Sequence, residues 1–237
     1  MIPVRVNSQR LPGKALLKES GKELFLHTCE QARQATNIQR VLVATDDDQV
    51  EAAARRHDIE VVRTSATPRT GSERCAEAAR EIDCRVVLDI QGDWPEIAPA
   101  DLEAMVEQLL GGAAVCNTLA TPIREAAVLD NPNAVKVVRG LNGKALYFSR
   151  AALPFAQQPE KAPAIDRLRH IGVYGFTRET LLSVPDLPSS GLAETESLEQ
   201  LRFLENDIPM HVLDAHGDPW GIETRSDYDA FLGRLRS

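Results

Sequence analysis

Residues 41–63 read VLVATDDDQVEAAARRHDIEVVR, and this stretch carries the pattern that decides the fold. Val41 to Thr45 and Glu60 to Arg63 are short runs rich in β-branched residues, which favour strands. Asp47 to His57 has the spacing of a helix, and the acidic residues at its start suit a helix N-terminus. A strand, a helix and a second strand in this order predict a β-α-β unit with parallel strands.

The same alternation extends over the first half of the chain. It predicts an α/β fold of the doubly wound, Rossmann-like type, with a mostly parallel sheet covered by helices on both faces. The remaining candidates are strands at Ile2 to Arg5, Arg85 to Ile90 and Val115 to Ala120, and helices at Leu24 to Ala35, Ser72 to Glu81 and Ala100 to Leu110. The first strand is near the minimum length for a central strand, which is consistent with a trimmed or misplaced start codon.

The pattern changes after Pro122 and predicts an antiparallel β addition in the second half. Val135 to Val138 and Ala145 to Phe148 flank Gly140-Leu141-Asn142-Gly143, a sequence that favours a hairpin turn. A Pro-rich connection, Pro154 to Pro163, leads to a further strand at Ile171 to Phe176. Helices are predicted at Glu194 to Asn206 and at Ser226 to Leu235. We therefore expect a single domain over residues 1–237, composed of a core (1–122), the antiparallel part (123–180) and C-terminal helices (181–237).

The composition excludes several classes of protein. Lys and Arg number 27 against 35 Asp and Glu, and the net charge of −8 does not provide the basic field that nonspecific nucleic-acid binding uses. The longest apolar runs are far shorter than the ~20 residues of a membrane span, and Arg5 and Arg10 interrupt any signal-peptide pattern. The cysteines lack CxxC spacing and are predicted to be buried thiols: Cys29, Cys75, Cys84 and Cys116. We expect a cytoplasmic protein without nucleic-acid or membrane partners.

The loop that follows the first strand is rich in cations. Residues 3–14 contain Arg5, Arg10 and Lys14 among glycine and small polar residues. Open parallel sheets bind ligands at this edge, where backbone N–H groups and cations approach phosphates. Neither GxxxxGK[ST] nor GxGxxG is present. The loop therefore predicts a polyphosphate site of another kind, and the alternative is a solvated basic loop.

Two carboxylates are candidates for a Mg²⁺ site. Asp93 lies in Gln91-Gly92-Asp93-Trp94-Pro95, directly after the fourth predicted strand. Glu223 lies just before the last predicted helix. Mg²⁺ is usually held by one or two carboxylates together with substrate phosphates. The alternatives are ordinary turn chemistry for Asp93 and a helix-end charge for Glu223.

Polar residues in the middle third suggest a second binding surface. Arg150, His170 and Tyr174 adjoin predicted strands, and His170 and Tyr174 share one face if that strand alternates. Such a face suits a small acidic, hydroxylated ligand, and the alternative is an exposed sheet face. Glu199 and Gln200 adjoin apolar helix positions, where a solvated flank is the alternative.

Six segments resemble the 3-deoxy-manno-octulosonate cytidylyltransferases, the CMP-Kdo synthetases, in order from Ile2 to about Leu232. RLPGK by itself indicates only a sugar nucleotidyltransferase, whereas the segments of the middle third are more specific. The segments are Arg5-x-x-Ser8-x-RLPGK (to Lys14), QGD at 91–93, NPNAVKVV at 131–138, ALYFSR at 145–150, HIGVYG at 170–175 and EQLR at 199–202.

The resemblance implies a fold of the nucleotide-diphospho-sugar transferase type and an enzyme that activates an acidic ulosonic sugar with CTP. Residues 1–122 would bind the nucleotide, and residues 123–180 would bind the sugar and contribute to dimerisation. The product would be a CMP-sugar for lipopolysaccharide or capsule synthesis, and the protein would be a cytoplasmic homodimer.

The resemblance also implies residue roles. For CTP these are Arg5, Ser8, Arg10, Lys14, Gly71, Ser72, Arg74 and Gln91. For the sugar they are Arg150, His170, Tyr174, Glu199 and Gln200. Asp93 and Glu223 would hold Mg²⁺, and the residues implied in catalysis are Arg10, Lys14 and Asp93.

The sequence departs from the family pattern at three places. Trp94 follows Gln-Gly-Asp where the family usually has an acidic or other residue, Glu223 stands where it usually has Asp, and Arg69 adds a cation before Thr70. These departures leave two alternatives open. One is a cytidylyltransferase for a different nonulosonic or amino-substituted acid, and the other is a homologue that binds nucleotide without turnover.

Overall fold

The structure is a computed structural model that describes residues 1–8, 10–158, 160 and 165–236. Its strands are β1 (Ile2–Pro3), β2 (Leu42–Thr45), β3 (Glu60–Arg63), β4 (Val86–Ile90), β5 (Cys116–Pro122), β6 (Lys136–Arg139), β7 (Ala145–Ser149), β8 (Leu168–Thr177) and β9 (Met210–Asp214). Its α-helices are α1 (Leu24–Gln34), α2 (Asp48–Arg56), α3 (Gly71–Ala79), α4 (Pro99–Leu110), α5 (Ala126–Asp130), α6 (Arg178–Ser183), α7 (Gly191–Glu196), α8 (Gln200–Glu205) and α9 (Arg225–Arg236).

The first strands form the parallel sheet that the sequence predicts. β1, β2 and β3 pair in parallel, with Ile2 opposite Val43 and Val43 opposite Val61. β4 continues beside β1, where the Ile90 N–H donates to the Met1 carbonyl at 3.0 Å. Asp47 caps α2 as its acidic start predicts, because Oδ1 accepts from the backbone N–H groups of Gln49 and Val50 at 2.8 and 3.0 Å.

The antiparallel addition enters the centre of the sheet. β8 pairs antiparallel with β4 on one edge and with β5 on the other, so it separates two strands that follow each other in the chain. β6 pairs with the start of β8, β7 completes the hairpin, and β9 pairs in parallel with β5. The α/β class with a mixed, helix-covered sheet is confirmed, and the second half of the chain contributes to its middle.

One predicted helix is wrong. The sequence predicts a continuous helix from Glu194 to Asn206, but the structure has α7 and α8 with a break at Ser197. Ser197 has φ 53°, a left-handed conformation that an α-helix cannot continue through. The short elements α5, α6 and β9 have no counterpart among the predicted elements, and the Pro-rich connection lies partly outside the described residues.

Buried side chains pack on both faces of the sheet. One group includes Ile2, Phe25 and Val43 near the parallel strands, and another includes Phe176 and Phe203 near β8. Cys29, Cys75 and Cys116 are buried free thiols as predicted, whereas Cys84 is only partly buried. In the described part of the chain, no helix is long and apolar enough to cross a membrane.

Candidate active site

Two adjoining cavities open at the edge of the sheet where β1 and β4 end. The loop cavity, about 280 Å³ in volume, is lined by residues 3–5, 7, 8, 14, 15, 69–71 and 91–93. The strand cavity, about 380 Å³, is lined by residues of β8, by the turn between α7 and α8, and by Trp220, Gly221, Glu223 and Thr224. Gln91 and Asp93 line both cavities, so the two spaces meet at the loop that follows β4.

Arg5 shapes the loop cavity through backbone contacts. Its guanidinium donates to the carbonyls of Pro68, Arg69 and Thr70 at 2.5, 2.8 and 2.8 Å. Burial lowers the pKa of Arg5, and the neighbouring Arg74 charge adds to this effect. Arg5 therefore fixes the segment before α3, while its charge faces the cavity.

Two ion pairs lie where the cavities meet. Lys14 Nζ lies 2.5 Å from Asp93 Oδ2, and both side chains are largely buried. Arg10 pairs with Glu223 across the mouth of the strand cavity. The predicted catalytic residues Arg10, Lys14 and Asp93 are thus brought together with Glu223. A chain with a net charge of −8 concentrates cations at this junction.

The chemistry of Asp93 and Glu223 fits a divalent cation. Burial raises the pKa of Glu223, and the charge of Asp93 adds to the rise, so the two carboxylates are electrostatic neighbours. Glu223 Oε2 is buried and has no hydrogen-bond donor of good geometry besides its ion contact with Arg10. Among the described residues, no group of three or more His, Cys, Asp or Glu side chains is suited to a metal. This pair therefore fits an ion that also takes ligands from a bound phosphate.

Trp94 joins the loop of Asp93 to the segment of Glu223. The Ile222 N–H donates to the Asp93 carbonyl at 2.8 Å. A Cβ atom on Gly221 would lie 3.2 Å from the Trp94 ring, and one on Gly172 would lie 3.5 Å from it. The indole therefore packs closely on Gly221, and the departure at Trp94 is a packing contact beside the two carboxylates.

His170 is held as a neutral ring on the strand cavity. The Thr118 hydroxyl contacts the Val173 carbonyl at 2.7 Å and His170 Nε2 at 2.9 Å. Because a carbonyl only accepts, the hydroxyl proton goes to Val173, and Nε2–H donates to Thr118. Burial lowers the pKa of His170 to about 3, with a smaller contribution from Arg169. His170 therefore offers a neutral ring whose Nδ1 is an acceptor.

The other predicted sugar residues also reach the strand cavity. The Tyr174 hydroxyl donates to Gln200 Oε1 at 3.0 Å, and burial raises the pKa of this phenol, so it stays neutral. Arg150 lines the cavity while donating to three backbone carbonyls, those of Glu196 at 2.8 Å, Pro132 at 2.9 Å and Ser197 at 3.3 Å. Glu199 lines the same wall.

Two residues with an implied nucleotide role lie behind the loop cavity. Ser72 is fully buried, and its hydroxyl contacts Asp89 and Glu199. Arg74 is 1% exposed and binds Thr64, the Ser65 carbonyl and Asp46. Gly71, by contrast, lines the cavity. A direct contact of the Ser72 or Arg74 side chain with CTP stays a prediction.

Sequence reasoning missed part of the strand cavity. Arg169 lies with its guanidinium carbon 4.2 Å from the centre of the Trp220 ring and also pairs with Asp218. Asn131 and Asn133 line the opposite side. Arg169 adjoins His170 in the chain and could have been found there, but its partner Trp220 lies far away in the sequence and carries no recognisable spacing.

Comparisons with known proteins show the family of this chain. The Cytidylyltransferase family matches residues 1–210. A 3-deoxy-manno-octulosonate cytidylyltransferase of Chlorobium limicola is 41% identical over 239 residues, spanning 100% of this chain and 96% of that protein. A protein of the same name from Geobacter sulfurreducens is 37% identical over 245 residues, spanning 100% and 98%.

A solved structure extends the agreement to three dimensions. The CMP:2-keto-3-deoxy-manno-octonic acid synthetase complexed with CTP is similar with a TM-score of 0.92 at 33% identity, covering 99% of this chain and 96% of that one. The fold and the joined cavities define a nucleotidyltransferase. The full-length matches narrow the class, and the chain belongs to the cytidylyltransferase family of the 3-deoxy-manno-octulosonate (Kdo) type. The resemblance read from the sequence is confirmed.

Proposed function

We propose that this enzyme transfers CMP from CTP to the anomeric hydroxyl of Kdo. The hydroxyl oxygen forms a bond to the α-phosphorus, the bond from that phosphorus to the bridging oxygen breaks, and pyrophosphate and the hydroxyl proton leave. The observation that carries the proposal is the junction of the two cavities at Asp93, with Lys14 beside it. Two substrates bound in adjoining cavities react there by proximity, with little covalent help from the protein.

CTP occupies the loop cavity in this proposal. Arg5, Ser8 and Lys14 line it, and Arg10 adjoins it from the strand cavity. Lys14 is paired with Asp93 and Arg10 with Glu223. When a triphosphate binds, these cations exchange carboxylate partners for phosphate oxygens and stabilise charge on the α-phosphate and the leaving group.

Kdo occupies the strand cavity. Arg150 matches the carboxylate of the sugar, because a planar guanidinium binds a carboxylate in a fork. The neutral His170 and the Tyr174–Gln200 pair offer hydrogen bonds to hydroxyls without adding charge. One charged group and several neutral hydrogen-bonding groups suit a ligand that is both acidic and hydroxylated.

Mg²⁺ is the cofactor we propose, held by Asp93 and Glu223. A bound Mg²⁺ neutralises phosphate charge during the transfer. Asp93 and Glu223 would release Lys14 and Arg10 to the phosphates at the same time. Glu223 reaches one methylene further than the Asp usual in the family, and the contact between Trp94 and Gly221 sets the position of its segment.

The test is release of pyrophosphate from CTP with a panel of acidic sugars. Kdo is expected to be the preferred acceptor. If the enzyme prefers a nonulosonic or amino-substituted acid, that acid and not Kdo is its substrate. CTP binding without pyrophosphate release for any sugar would identify a non-catalytic homologue.

The metal is tested with Asp93→Asn, which keeps the size of the side chain and removes its charge. Activity is expected to require a divalent cation in the wild type and to fall strongly in the variant, because a hard cation needs the carboxylate. Full activity of the variant with Mg²⁺, or wild-type activity undiminished by EDTA, would contradict a cation at this site.

We further propose a cytoplasmic homodimer. The free thiols suit a reducing compartment. Leu141 and Leu146 on the β6–β7 hairpin are exposed at 112% and 63%, as suits a surface covered by a second copy. Sedimentation of the wild type as a dimer, and of Leu146→Glu as a monomer, is expected. A monomeric wild type would contradict the dimer.

A further inference from the structure

Asp89 lies at the end of β4 behind both cavities and is fully buried. Its Oδ2 accepts from the Ser72 hydroxyl at 2.9 Å, and its Oδ1 accepts from Gln91 Nε2 at 2.6 Å. The same Ser72 hydroxyl contacts Glu199 Oε1. Glu199 and Gln91 face the strand cavity. Asp89 therefore lines neither cavity. It contacts Gln91 directly, and Ser72 links it to Glu199.

The single hydroxyl proton of Ser72 limits the negative charge that Asp89 and Glu199 can carry together. A serine hydroxyl has a single proton, so Ser72 can donate to Asp89 or to Glu199 but not to both. If both acids were ionised, one of the two contacts would bring an oxygen lone pair against a carboxylate in a buried site. A second proton on one of the acids turns that repulsive contact into a hydrogen bond.

The pKa shifts of Asp89 and Glu199 are consistent with one proton retained by this pair of acids. Burial raises the pKa of Asp89 to about 7, and the charge of Glu199 adds to the rise. Burial also raises the pKa of Glu199, with Glu73 as a further repulsive charge, while hydrogen bonds from Thr70 and Ser72 oppose the rise. The remaining groups whose charge acts on this pair are the Met1 amino group, Arg5, Cys75, Cys116 and Tyr174.

The neighbouring groups named above include one permanent cation, Arg5, which can offset one of the two carboxylates but not a second. Burial holds the thiols of Cys75 and Cys116 and the phenol of Tyr174 in their neutral forms by raising their pKa values. Burial lowers the pKa of the Met1 amino group. Arg5 keeps its positive charge while its guanidinium donates to three backbone carbonyls, and this charge acts on Glu199.

We propose that Asp89 and Glu199 share one proton through Ser72, and that Asp89 is thereby a positioning residue that keeps this wall of the strand cavity at a single negative charge while an acidic sugar binds. The inference rests on the proposed function, since the sugar carboxylate must enter the cavity that Glu199 lines. Loss of the shared proton to solvent adds a second negative charge beside an anionic ligand. The same contact fixes Gln91, whose amide donates to Asp89.

The expected kinetic signature is a rise in the KM for the sugar at alkaline pH. If only the singly protonated pair accepts the anion, KM for the sugar rises by about tenfold per pH unit above the transition of the pair. KM for CTP is expected to change much less, because the wall concerned belongs to the strand cavity.

Asp89→Asn tests the proposal against this signature. The amide keeps an acceptor for Gln91 and gains a donor for Ser72, but the doubly charged state can no longer form. The remaining acid titrates at lower pH because its charged neighbour is gone, so KM for the sugar is expected to be flat over the pH range where the wild type rises. The same rise in this variant would overturn the proposal.

Asp101→Asn is the matched control. Asp101 is also fully buried, and its Oδ1 accepts from the His216 backbone N–H at 2.8 Å, but it lines neither cavity. This variant is expected to keep the wild-type pH profile. A flat profile in Asp101→Asn as well would overturn the specific role of Asp89.

A measurement on the wild type without substrate separates this inference from the proposed function. Carbon-13 NMR of the carboxyl groups is expected to reveal an Asp and a Glu that titrate together across the neutral range. Ionisation of every Asp and Glu throughout that range would overturn the shared proton even if CTP and Kdo react. Absence of turnover with a titrating pair would contradict the proposed function alone, and this spectrum decides the matter if Asp89→Asn does not fold.

Discussion

Lys14 and Asp93 place a cation and a carboxylate 2.5 Å apart at the point where the two cavities meet. The cationic loop predicts Lys14, and its position after the first strand predicts the edge of the sheet where it lies. The partner could not be predicted from spacing, because Lys14 and Asp93 are separated by most of the parallel half of the fold. Their contact depends on the close approach of the loops that follow β1 and β4.

Replacing Lys14 tests its part in the transfer. Lys14→Ala is expected to reduce turnover at saturating sugar by about 10- to 100-fold, because a charge-assisted hydrogen bond contributes roughly 1.5–3 kcal/mol. Steady-state release of pyrophosphate measures the loss. Lys18→Ala, which removes an exposed lysine from the same segment, is the control and is expected to retain the wild-type rate. A wild-type rate for Lys14→Ala would remove Lys14 from the site.

Arg150 lines the strand cavity and also makes structural contacts. Its three contacts with backbone carbonyls join the segment at 132 to the turn at 196–197. The sequence predicts its charge at the end of β7, but these backbone partners depend on the left-handed turn at Ser197, which the helical pattern conceals. The remaining N–H groups of the guanidinium are what a sugar carboxylate can use.

Arg150→Ala is therefore expected to raise KM for Kdo far more than KM for CTP, because the sites proposed for the two substrates lie in different cavities. Loss of a contact made equally in the ground state and the transition state raises KM. Steady-state kinetics with each substrate varied in turn measure the difference. Arg139→Ala is a matched control, since Arg139 also donates to a backbone carbonyl and to a carboxylate but lines neither cavity. Unchanged KM for Kdo in Arg150→Ala would mean that the acid is bound elsewhere.

Among the elements, β8 explains why the site could be predicted only in part. Its hydrophobic run predicts a strand, and the alternation predicts that His170 and Tyr174 share a face. A single run does not specify its neighbours, however, and β8 pairs with β4 and β5 only because the chain returns after the hairpin. The parallel first half was predictable because each β-α-β unit limits where the next strand can pair.

The packing of Gly221 on Trp94 can be tested for its effect on the position of Glu223. Gly221→Ala would bring a Cβ 3.2 Å from the Trp94 ring, so the ring or the segment must shift and Glu223 moves with it. We expect the Mg²⁺ concentration for half-maximal activity to rise severalfold, with little change in the fold by circular dichroism.

Gly217→Ala is the control for this change. A Cβ on Gly217 would lie 4.0 Å from Pro219, an ordinary contact in the same segment. Its Mg²⁺ requirement is expected to match the wild type. An unchanged requirement in Gly221→Ala would mean that packing on Trp94 does not position Glu223.

In the whole molecule, a single fold brings together residues from distant parts of the chain. The loop after β1 supplies cations, the loop after β4 supplies Asp93, β8 supplies the neutral polar face, and the segment before α9 supplies Glu223. The net charge of −8 makes the local cations necessary for binding two anionic substrates. The order of the motifs in the sequence was sufficient to predict the family. The positions of the motifs relative to one another could be seen only in the folded structure.

The most direct test of this reaction follows the anomeric oxygen of the sugar, which attacks the α-phosphorus. Kdo labelled with heavy oxygen at its anomeric hydroxyl is incubated with CTP, Mg²⁺ and the enzyme, and the product is analysed by mass spectrometry. One CMP-sugar is expected for each pyrophosphate released, with the label retained in the oxygen that bridges sugar and phosphorus. Pyrophosphate release without a CMP-sugar, or a CMP-sugar in which the label has been lost, would contradict attack of the sugar hydroxyl on the α-phosphorus.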